Sequence, residues 1–177
     1  MGTQQIILLI INIIGGAAVI GSYIFGLNAQ AGGANALWGN VPDNIRPIYG
    51  ISMILAALGY FAFIYFILLR LTPSEVLIGE RFGYGLFFAI FLVILIPSAL
   101  WMPLTNLYVS NPGTGIWIAV RTVLALVGLA SIMLFWALLS LQTKIPGISY
   151  WLAVVGSGYF ALHTAVLDAI IWAALFK

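Results

Sequence analysis

The chain has 177 residues, 64% of them hydrophobic and only 6% charged, with a formal net charge of +2. A soluble domain of that length could not cover its surface with so few polar side chains, so the composition points to an integral membrane protein. The absence of cysteine excludes disulfides, thiolate nucleophiles and Cys-ligated iron–sulfur or zinc sites. The single histidine excludes a bis-His haem within one chain, and no Lys/Arg cluster offers a surface for nucleic acid.

Crossing the hydrocarbon core takes about 20 apolar residues, and five segments qualify: about 5–27, 48–71, 82–104, 115–141 and 149–175. The predicted fold is therefore an all-α integral membrane protein, a five-helix bundle forming one multi-pass domain over 1–177. The first span lacks the small-residue cleavage site of a removed signal and reads as a retained helix. Its Gly15, Gly16, Gly21 and Gly26, like Gly156 and Gly158 in the fifth span, suit close helix contacts. A long Gly/Asn-rich connection fills 28–47. In the next connection, "TPSEVLIGER", Thr72 is placed as an N-cap, Pro73 at the first helical position and Glu75 where a capping box needs it, which predicts a short interfacial helix. Arg70, Arg81 and Lys144 fall on the side of the N-terminus and Arg46 and Lys177 on the other, a bias that favours a cytoplasmic N-terminus. In the third span Pro97 and Pro103 flank Trp101, and each removes a helical hydrogen bond and frees a carbonyl.

A charge at the bilayer centre costs roughly 2.5–3.5 kcal/mol, so the polar residues inside the spans carry information. Arg121 lies about six residues inside the fourth span and Asp168 about eight from the end of the antiparallel fifth, which puts both roughly 9–12 Å from one face. A structural ion pair between Arg121 and Asp168 is expected. His163 opens "HTAVLDAIIW" near the midplane. On an α-helix it stands about 140° from Asp168, on a different face, whereas Thr164 and Trp172 share the face of Asp168. The imidazole reads equally as a neutral hydrogen-bonding partner for a neighbouring helix or as a ligand group. Trp38, Tyr49, Trp101 and Trp117 gather toward the same membrane face, either as an interfacial aromatic belt or as the wall of a site. Trp136 and Trp151 read as belt residues of the opposite face.

Four stretches carry a resemblance to a known family. "AALGYFAFIYF" in the second span, "ALWMPLTNLY" at the end of the third, "GIWIAVR" in the fourth and "LDAIIW" in the fifth resemble motifs of the five-helix TspO/translocator proteins, the tryptophan-rich sensory proteins. The first loop keeps Trp38, Pro42 and Pro47 where that family has a denser Trp–Pro run. Arg121 stands where the family often has an acid, and Asp168 where it has Asn. The resemblance implies a pocket within the bundle, closed by the first loop, for tetrapyrroles, sterols or similar flat apolar molecules. Matched positions would make Trp101 and Trp117 its aromatic walls, with Tyr60, Thr164 and Asp168 lining it and Trp38 in the lid. His163 has no counterpart, but an imidazole beside such a pocket can ligate a metalloporphyrin, so haem or another porphyrin is expected as a ligand and no cofactor is required.

Three functions follow as expectations. The first is binding or transport of a hydrophobic ligand, the partners being the bilayer, the small molecule and a second copy of the chain. The second is an accessory subunit of a larger membrane complex, in which Phe61, Phe63, Tyr65 and Phe66 would face lipid or a neighbouring helix. The third, a membrane-embedded enzyme on a lipid-soluble substrate, is disfavoured because general acid–base catalysis needs converging groups and His163 and Asp168 point apart. A channel is disfavoured because no span carries a polar stripe, and a retinal protein because no span carries a lysine.

Overall fold

The computed structural model describes residues 1–29, 33–142 and 147–176. Five helices are long and apolar enough to cross a membrane: α1 Thr3–Asn28, α2 Arg46–Leu69, α3 Gly85–Ser110, α4 Thr114–Leu139 and α5 Ile148–Leu175. Every predicted span is present, with ends shifted by a few residues. The largest difference is in α3, which passes through both Pro97 and Pro103 to Ser110. Those prolines interrupt the hydrogen-bond ladder without ending the helix, because the apolar run continues on both sides. Lys144 and Lys177, two of the charges used to orient the chain, lie outside the described residues.

The expected interfacial helix is a single 3-10 turn, Pro73–Glu75, and the Thr72 side chain makes no cap hydrogen bond. Beyond it the chain makes a tight reversal. Gly79 and Glu80 both take positive φ, 55° and 60°, as a type I′ turn requires. Ile78 and Phe82 pair across that turn, Gly79 N–H donates to Ser140 O, and Gln142 N–H donates to Leu77 O. The connection is thus clipped to the end of α4 instead of being helical.

Around the bundle, α1 rests on α3, α3 on α4, α4 on α5 and α5 on α2, while α1 and α2 meet at few residues. Glycines decide two of these seams. A Cβ on Gly59 would stand 2.6 Å from Gly156 O, and one on Gly156 would stand 2.8 Å from Gly59 Cα, so α2 and α5 approach backbone to backbone. On α1, Gly15 receives Leu95, and Gly26 receives Met102 of α3. Toward the N-terminal side the core is apolar, with Phe63, Phe66, Phe87, Phe91, Leu134 and Leu138 fully buried. Toward the other side a second cluster gathers Val41, Tyr49, Trp117, Val120, Leu124, Trp172 and Phe176.

Candidate functional site

The last helix departs from α geometry. Leu162–Trp172 forms an 11-residue π-helix, and Ala173 N–H bonds the carbonyl of Asp168, five residues back. Such i→i+5 segments are rare, mostly single turns, and frequent at functional sites. Their wider turn brings residues five apart onto one face. His163 Nε2 accordingly stands 3.6 Å from Asp168 Oδ2. The expectation that these two point apart is corrected: it assumed 3.6 residues per turn in the one segment that does not have them.

A string of hydrogen bonds ends at this pair. Tyr159 OH donates to Ser52 Oγ at 3.1 Å, and Ser52 Oγ lies 2.9 Å from His163 Nδ1. If Ser52 donates to Nδ1, the ring proton sits on Nε2 and faces the carboxylate. The opposite tautomer would set a lone pair against a carboxylate oxygen, so electrostatics selects the first. Both donors then run in one direction, Tyr159 to Ser52 to His163, and the Nε2 proton faces Asp168 from 3.6 Å, beyond hydrogen-bond distance. Ser52 and His163 are buried, whereas Asp168 keeps 31% of its side-chain surface accessible. The carboxylate is nevertheless about 10 Å inside the helix end, at seven residues from Leu175.

Aromatic rings stand beside that carboxylate. The Tyr23 and Tyr49 phenols are within electrostatic reach of Asp168, and Tyr49 OH donates to Leu167 O at 2.8 Å. The Trp101 ring is 5.6 Å from that of Tyr23 and 5.4 Å from that of Trp172. Trp101 Nε1 is buried without a hydrogen-bond partner, an open donor in a place where such groups are normally satisfied. Trp172 Nε1 instead donates to Leu37 O, tying the first loop onto α5. The loop is held further by Trp38, whose ring meets Tyr49 at 5.5 Å and Arg46 at 5.9 Å.

The residues singled out from the sequence therefore separate. Trp38, Trp101, Trp117, His163 and Asp168 come together at one end of the bundle, although Trp117 is packed against Phe176 and Tyr108. Thr164 is buried there, and its hydroxyl bonds back to Phe160 O at 2.9 Å. Tyr60 is elsewhere. It donates to Asn12 Oδ1 and packs on Phe63, Phe91 and Phe160 in the other half of the bundle. The Arg121–Asp168 ion pair does not form. Arg121 is exposed on the outer face of α4, beside the inward row of Trp117, Val120 and Leu124.

Sequence reasoning missed Ser52, Tyr159 and Tyr23 as members of the site. Ser52 carried a signal as the lone hydroxyl of an otherwise apolar stretch, "ISMILAALG"; Tyr23 and Tyr159 resembled ordinary membrane aromatics. Chemically, the arrangement offers a partly accessible carboxylate, an imidazole held beside it by Ser52, and aromatic neighbours. Compared with known proteins, the chain matches no family model, no curated protein and no solved structure.

Proposed function

We propose that this chain is a membrane protein that binds a hydrophobic small molecule at the end of the bundle covered by residues 33–45, with the molecule's polar group against Asp168. The observation that carries this reading is the accessible Asp168 carboxylate at membrane depth. An intramembrane ionisable group is costly and usually functional, and an apolar setting with few convergent polar groups is what small-molecule sites share. Trp101 and Trp172 supply flat aromatic contact. The resemblance to TspO/translocator proteins adds tetrapyrroles and sterols as ligand classes to try, for binding, sensing or transport.

The test is a titration of the detergent-purified chain with the dimethyl esters of protoporphyrin and haem, since the Asp168 carboxylate would repel free propionates, followed by Soret absorbance and tryptophan quenching. Saturable one-to-one binding weakened by Trp101→Ala is expected. His163 has Nδ1 held by Ser52 and Nε2 facing Asp168, so the porphyrin is held by stacking and not by axial ligation, and the bound Soret band should be the same in His163→Ala. Quenching that never saturates, with protoporphyrin, haem and a sterol competitor alike, would overturn the reading.

A second reading, accessory subunit of a membrane complex, is favoured by α1. Of the residues of this helix only Leu8 and Gly26 are buried, and an apolar groove of about 460 Å³ runs between α1 and α3, lined by Ile10, Ile14, Leu92, Ile96 and Leu100 among others. Stoichiometric copurification of another membrane protein, lost on Ile14→Trp, would support it. An enzymatic reading gains the convergence of Ser52, His163 and Asp168, yet Ser52 is 2% exposed and so is shut away from any substrate.

A further inference from the structure

Resting on the small-molecule site just described, we propose that its ligand is a lipophilic cation, an amine or quaternary ammonium on an apolar body, whose positive charge sits at Asp168 among the rings of Tyr23, Tyr49, Trp101 and Trp172. A carboxylate within a membrane-spanning segment is tolerated when a cation pairs with it, and the described residues provide none. Among the described residues no Lys or Arg forms an ion pair with Asp168. Arg46 is engaged by Asp43 at 2.8 Å and by Val41 O, and Arg121 faces outward.

His163 does not fill that role. Its 3.6 Å approach to Oδ2 is longer than a hydrogen bond, and its Nδ1 is engaged by Ser52. The donor chain from Tyr159 ends at the imidazole and leaves the carboxylate unpaired. The Tyr23 and Tyr49 phenols are within electrostatic reach of that carboxylate, and Trp172 lies four residues along the same helix. Aromatic rings beside an anion favour an ammonium group. Tyr49, held by its bond to Leu167 O, and Trp172, held by its bond to Leu37 O, are fixed in advance, so little ordering remains to be done on binding.

Equilibrium dialysis of the intact chain in a neutral detergent decides the matter, using tetraphenylphosphonium, its size-matched anion tetraphenylborate, and neutral triphenylphosphine oxide. Tetraphenylphosphonium should bind one to one and at least tenfold more tightly than either comparator. Asp168→Asn should abolish that preference while keeping the parent's unfolding midpoint in detergent, which shows that the variant is folded; Asp168→Glu should keep the preference. Equal binding of cation and neutral probe, or an Asp168→Asn loss that is the same for both, overturns the cation assignment and leaves the hydrophobic site standing. No binding of any probe overturns the site itself and this inference with it.

Discussion

At the residue scale the string Tyr159–Ser52–His163–Asp168 has one link that matters more than the others. Ser52→Ala strips the buried His163 Nδ1 and the half-buried Tyr159 OH of their partner, and the orphaned buried imidazole nitrogen alone costs about 1–3 kcal/mol. Tyr159→Phe removes only the terminal donor, leaving Ser52 its bond to His163. Thermal unfolding in detergent should therefore drop further for Ser52→Ala than for Tyr159→Phe, despite the smaller change in volume; the reverse order would mean that the string is not continuous. The two tryptophans give a paired comparison of the same kind. Trp101→Phe and Trp172→Phe lose the same side-chain volume, but only the Trp172 N–H has an acceptor, Leu37 O at 3.2 Å. The Trp172 variant should be less stable than the Trp101 variant by about 0.5–1.5 kcal/mol, the net worth of one hydrogen bond.

At the scale of elements, the site depends on two features of α5 and its contact with α2. The π-helix lets residues five apart face one another, and its carbonyls are partly served from outside, as Tyr49 OH does for Leu167 O. Tyr49→Phe should speed amide hydrogen exchange across 167–172 while leaving 148–161 as protected as before, since local opening follows local bonding; uniform protection along α5 would refute a special role for that bond. The Gly59–Gly156 contact sets the distance between the helices that carry Ser52 and His163. Gly156→Val must wedge backbone from backbone, an overpacking worth about 1–3 kcal/mol, whereas a Cβ on Gly21 meets nothing within 4 Å. A large fall in melting temperature for Gly156→Val beside none for Gly21→Val is the expected pattern.

At the scale of the whole molecule, the spans were legible in the sequence because hydropathy is summed along the chain and needs no knowledge of which way a side chain points. The faces were not. Helices as apolar on the lipid side as on the inner side give no periodic signal of direction, so Tyr60 and Arg121 could not be assigned to the interior or the exterior from spacing. The His163–Asp168 contact was hidden for a different reason: the π-helix changes the period that spacing arguments assume. The same limit produced the expected Arg121–Asp168 pair, which rested on depth alone, and depth does not fix angle around a helix. The two pictures predict different energetics for one substitution. Had Arg121 been the partner of Asp168, Arg121→Leu would strand a buried carboxylate at a cost of about 3–5 kcal/mol. With Arg121 exposed on the outer face of α4, its removal touches no internal contact and should stay within about 0.5 kcal/mol of the parent. Comparing the detergent unfolding midpoints of Arg121→Leu and the parent chain distinguishes them, and a loss in the larger range would restore the ion pair and take away the unpaired carboxylate on which the cation site depends.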